Sequence, residues 1–130
     1  MTSVALHNAI RSRFKTQVAT PESLIVVYDN DPTSPPKAGS IWCRFSVRRS
    51  ETQQVEAGPA SFRLYGRAYA QLFGPLDKGD GALLELADTI VAEFLGETAA
   101  GVRYGEVTVV PVGVRGGEYQ VNVEIPFMAD

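Results

Sequence analysis

The run IWCRFSVRR (41–49) alternates without a break. Ile41, Cys43, Phe45 and Val47 fall on one side of an extended chain, and Trp42, Arg44, Ser46 and Arg48 on the other. Successive side chains of a strand point to opposite faces, so this spacing predicts a strand with one face against a core and the other turned away from it. A chain built around such a strand needs cover on one face of its sheet only.

Two stretches supply that cover. Leu6, Ala9, Ile10 and Phe14 recur at helical spacing, with Arg11, Ser12 and Lys15 between them, which predicts an amphipathic helix over about 3–17 capped by Thr2 or Ser3. Ala82, Leu83, Leu86, Ala87, Ile90, Val91, Phe94 and Leu95 predict a second helix, with Asp80 at the N-cap position and Gly96 as its stop. Strands are expected at LIVVY (24–28), at 41–48 and onward through TQQVEA, at RAYAQLF (67–73), at VTVVPV (107–112) and at YQVNVEI (119–125). Residues 50–66 read as a long hairpin extension. Gly116-Gly117 suits the tight turn of a C-terminal hairpin, and Pro111, which has no N–H, places its strand at an edge or a bulge. The expected fold is α+β: an antiparallel or mixed sheet with two helices on one face, as a single domain over 1–130.

Composition narrows the function. A single cysteine, Cys43, excludes an internal disulfide, and a single histidine, His7, removes most histidine-based metal and proton-transfer chemistry. The N-terminal residues carry charges by position 11 and contain no long apolar run, so neither a signal peptide nor a membrane anchor is expected there. The net charge of −3 is unevenly spread, with residues 1–76 at +4 and residues 77–130 at −7. Such asymmetry suits a charged partner, or a protomer that binds its own copies, basic surface to acidic surface.

The motifs that could carry chemistry fail on spacing. In YDNDPTSPP (28–36), Asp29, Asn30 and Asp31 suggest a cation loop, yet the sixth and twelfth positions from Asp29 are Ser34 and Ser40, where a calcium loop needs Gly and Glu. The same residues with Pro32 and Pro35 make a turn. In GPLDKGDG (74–81) the lysine precedes its glycine and an aspartate opens the helix, so this is a helix entry and not a phosphate loop. Cys43 sits on an apolar strand face and reads as a buried thiol. No cofactor and no enzymatic activity are expected. Arg44, Arg48, Arg49, Arg63 and Arg67, interleaved with Trp42, Tyr65 and Tyr69, suit nucleic acid or a protein interface, and the overall acidity favours the interface. Glu85, Asp88 and Glu93 make the outward side of the second helix acidic, without a basic residue on that helix. Either a basic partner, a polar channel or solvent can face it.

Across its length the chain resembles the tail terminator-like proteins of long-tailed phages and prophages. The resemblance is carried by the N-terminal helix, VVYDNDPTSPPKAGSIWCRFSV, LFGPLDKGDGALLELADTIVAEF and YQVNVEIPFMAD. It implies a structural protein at the neck end of the tail, made in the bacterial cytoplasm. It further implies a homohexameric ring that caps the tail tube and joins it to the head–neck connector, with DNA passing through the lumen unrecognised. The interface residues expected on this basis are Asp29, Asp31, Trp42, Arg44, Arg48, Arg49, Arg63, Arg67, Glu85, Asp88 and Glu93. A non-ring adaptor or chaperone-like module of tail assembly, or a small enzyme, are the alternative readings.

Overall fold

The computed structural model describes residues 2–29, 34–36, 39–54 and 62–130, with backbone alone for 51–54 and 62. Helix α1 (Ser3–Phe14) opens where the Thr2 hydroxyl accepts a hydrogen bond from the Ala5 amide at 3.1 Å, satisfying one of the free N–H groups of the first turn. It buries Leu6, Ile10 and Phe14. The sequence spacing predicts an end near residue 17, but the chain continues as π-helix through Lys15–Ala19. The reason lies in the rotation per residue. A strict four-residue repeat drifts around an α-helix of 3.6 residues per turn, and the wider π turn reverses that drift, so Val18 stays on the buried side.

The strands are β1 (Ile25–Tyr28), β2 (Trp42–Gln54), β3 (Phe62–Gly74), β4 (Thr98–Ala99), β5 (Val102–Tyr104), β6 (Thr108–Arg115) and β7 (Glu118–Ala129), with helix α2 (Gly81–Phe94) between β3 and β4. They form one mixed sheet in the order β1-β2-β3-β7-β5-β4. β7 is flanked by β3 along one edge; β6 runs beside the start of its other edge and β5 beside the end. β1 pairs with β2 in parallel, which the long connection between them permits, and the remaining pairings are antiparallel. β2 and β3 form a hairpin, in which β3 begins at Phe62 rather than at residue 67. Ile41 precedes β2 and is 36% exposed, so the buried side of that strand starts at Cys43. Among the described residues Pro111 lies in a strand paired on one side only, beside a register shift between Pro111 and Gly113, which suits its missing N–H. Gly116 and Gly117 join β6 to β7 with positive φ at both positions. The short β4 and β5 have too little apolar alternation to stand out in the sequence.

Both helices lie on one face of the sheet. The core joins Leu6, Ile10 and Phe14 of α1 and Leu83, Ile90 and Phe94 of α2 to Cys43, Phe45, Leu72, Val121, Val123 and Ile125 of the strands. A chain of rings runs through it. Tyr28 meets Phe45 edge-on at 6.1 Å, Phe45 stacks on Phe14 at 4.2 Å, Phe14 lies 6.4 Å from Phe94, and Phe94 meets Tyr104 edge-on at 4.9 Å. Arg13 bridges the helices. Its guanidinium donates to the Glu93 carbonyl at the end of α2 and lies 5.4 Å from the Phe94 ring centre and 5.9 Å from that of Tyr104. A cation at that terminus satisfies a carbonyl without an intrahelical partner and meets the negative end of the helix dipole.

Phe14→Ala removes the ring common to both helices and β2. Its expected cost is about 3–5 kcal/mol, measured as a lowered urea midpoint at unchanged slope. Tyr104 is buried, and burial pushes its hydroxyl up to about 12 from 10.0, with Arg13 opposing. A raised folded-state pKa gives stability that is full below the unfolded value and lost as pH rises through the folded one. Between pH 10 and about 12 the protein is therefore expected to lose stability that Tyr104→Phe does not lose, read by thermal melts across that range.

Candidate functional site

The face of the sheet away from the helices carries three of the five sequence-predicted arginines, Arg44, Arg48 and Arg67. Along β2 it presents Trp42, Arg44, Ser46 and Arg48, and along β3 Tyr65, Arg67, Tyr69, Gln71 and Phe73. Trp42 is not a free aromatic: it is 4% exposed, stacks on Phe73 at 4.4 Å and donates its indole N–H to Glu118 at 2.8 Å. Arg44 lies 5.6 Å from the Trp42 ring centre, so the indole supports a guanidinium that is otherwise exposed. Ser46 and Gln120 are also buried on this side; the Gln120 amide donates to Asn122 at 2.8 Å.

Arg48 and Arg67 occupy directly opposed positions of β2 and β3. Like charges across a strand pair repel. Each is partly offset by a carboxylate from a neighbouring strand: Asp29, just past β1, accepts from Arg48, and Glu124 of β7 accepts from Arg67 at 3.4 Å. Both arginine side chains remain more than half exposed, at 63% and 55%. The ladder shifts register between Arg49 and Thr52, a β-bulge beside this pair. Gly66, opposite Arg49, permits it, since a Cβ there would lie 2.3 Å from the Arg48 carbonyl and 2.6 Å from the Phe127 ring. An open concavity of about 420 Å³ results, lined by Arg48, Arg67, Tyr65, Tyr69 and Pro126 among others.

The remaining predicted residues scatter. Arg49 turns toward α1 and donates to the Ser3 hydroxyl. Arg63 binds Asp130 at 2.6 Å, with Arg103 at 3.3 Å from the same carboxylate, and these arginines hold the Asp130 pKa below its ordinary value. Glu85 and Asp88 are exposed on α2, in the opposite layer, whereas Glu93 is half-buried where Arg13 meets its carbonyl. Asp31 lies outside the described residues. The structure thus brings Asp29, Arg44, Arg48 and Arg67 together on one face, with Trp42 beneath Arg44, and sets Glu85 and Asp88 on the other.

Among the described residues the titratable groups form no catalytic arrangement. Cys43 is fully buried and burial raises its thiol pKa, which disfavours the reactive thiolate. His7 is half-buried, and burial, then Arg11 and Arg49, lower its pKa against the opposing pull of Asp29. Among the described residues no three His, Cys, Asp or Glu side chains converge as metal ligands, and no helix is long and apolar enough to cross a membrane. Sequence reading missed Arg13, Glu118 and Glu124 as organising residues; the acidic α2 beside a base-rich α1 was the available signal for Arg13.

No protein-family model matches the chain, and no curated protein matches it. A solved structure, of a protein whose name states no function, matches the whole chain with a TM-score of 0.77. It is 17% identical, and the match covers 100% of this chain and 96% of that one. The likeness establishes the α+β fold.

Asp29→Asn removes the half-buried carboxylate of an ion pair whose arginine is exposed. Its expected effect on folding stability is below about 1 kcal/mol, checked by urea denaturation of variant and parent.

Proposed function

We propose that this protein is a ring-forming structural component of a long-tailed phage or prophage tail, which caps the tail tube, ends its polymerisation and offers a surface to the head–neck connector. The observation that carries the reading is the placement of opposite charge on opposite layers. Arg44, Arg48 and Arg67 lie on the face of β2 and β3 away from the helices, and Glu85 and Asp88 lie on the exposed side of α2 beyond the other face. A protomer of this kind binds its copies through two different surfaces, and such heterologous contacts close into rings when the rotation per subunit permits. The full-length resemblance to tail terminator-like proteins gives the ring its position and its six copies. DNA crosses the lumen without base recognition in this reading, and no catalysis is required of any residue.

Tails assembled without this protein are expected to carry tubes of uncontrolled length in electron micrographs, and tails assembled with it tubes of one length. Binding of purified protein to tube ends, followed by light scattering, checks the same point. A chain that neither binds tube ends nor alters tube length is not a terminator.

A further inference from the structure

The opposed arginines at the bulge are an unusual element of a strand pair. Arg48 and Arg67 face each other across the ladder, and their own chain gives each a single carboxylate among the described residues. A guanidinium carries five N–H donors in a fixed fork. Among the described residues Arg48 reaches only Asp29 and, at 3.4 Å, the Val47 carbonyl, and Arg67 only Glu124, so most donors of the pair have no acceptor there. Tyr65, Gly66, Tyr69 and Pro126 line the concavity around them, beside the bulge. Two cations one strand spacing apart call for two anions at a similar spacing, about 4.5–5.5 Å.

α2 holds that complement. Its exposed ridge reads Ala82, Glu85, Asp88 and Ala92, so two carboxylates stand between two small residues that let a helix approach closely. Residues three apart on a helix are neighbours at about 5–6 Å between Cβ atoms. Neither carboxylate forms an ion pair among the described residues. The arginine face and the acidic ridge are in opposite layers of one domain and cannot meet within a chain.

We infer that the Glu85–Asp88 ridge of α2 in one copy docks on the Arg48–Arg67 concavity of a second copy, forming the repeating contact between subunits. This rests on the ring reading above and assigns its two surfaces. Reversal of both sides tests it. The variants Arg48→Glu/Arg67→Glu and Glu85→Arg/Asp88→Arg, each confirmed as folded by circular dichroism, are compared with the parent by sedimentation at equal concentration. Each alone is expected to self-associate at least about tenfold more weakly, because like charges then meet at every contact. An equimolar mixture is expected to recover assembly, since every acidic surface of one variant then finds a basic surface of the other. The milder Arg67→Gln and Asp88→Asn stand in where a reversed chain fails to fold, each weakening association.

Assembly of a reversed variant at the parent's strength, or a mixture no better than its components, overturns the contact. A parent chain that stays monomeric also overturns it. The tube-length experiment decides the ring reading separately: rings that ignore the reversals, on tails of controlled length, remove this contact and leave that reading standing.

Discussion

The stack of Phe14 on Phe45 fixes the rest of this molecule. It places α1 over β2, and through Phe94 it ties α2 to the same point, so both helices are committed to one face of the sheet. That commitment leaves the other face of β2, β3 and β7 without a covering layer among the described residues. What would otherwise be a solvated surface is then free to carry arginines, tyrosines and a stacked tryptophan. The Arg13 bridge belongs to the same arrangement: it lies against Phe94 and Tyr104 and neutralises the end of an otherwise acidic helix.

The covered and uncovered faces follow different rules. Inside, shape decides, with rings meeting edge-on or stacked and a thiol that burial keeps protonated. Outside, guanidiniums are held by geometry that the backbone supplies. The unbroken register from Trp42 to Arg49 brings Arg48 and Arg67 into opposition at a place where strands normally avoid like charges. Partial compensation by Asp29 and Glu124 keeps the pair compatible with a folded sheet while both arginine side chains stay more than half exposed.

Much of this was legible in the residues. The alternation of 43–48 fixes which side of β2 is buried, the repeat in 82–95 fixes α2, and Pro111 with Gly116-Gly117 marks an edge strand and its turn. The π turn was not legible, because the four-residue spacing of Leu6, Ile10, Phe14 and Val18 looks like an α-helix from sequence alone. Nor was the origin of β3 at Phe62, since Gly66 resembles a break when its neighbours are unknown and proves to be the residue that permits the close approach of Phe127. The arginines could be recognised as a group but not sorted. Cross-strand register alone decides that Arg48 meets Arg67 while Arg49 turns back toward α1.

β7 has a consequence for how the molecule comes into being. It is the last strand in chain order and yet stands within the sheet, between β3 on one side and β6 and β5 on the other. On a ribosome, every earlier strand is made before the strand that joins them, so β3 waits with an unsatisfied edge and the core residues Val121, Val123 and Ile125 are missing. The nascent chain can form its helices and its long hairpin early, but it closes its core only when β7 arrives. Protection of that waiting edge is therefore a requirement of synthesis, distinct from anything the finished fold needs.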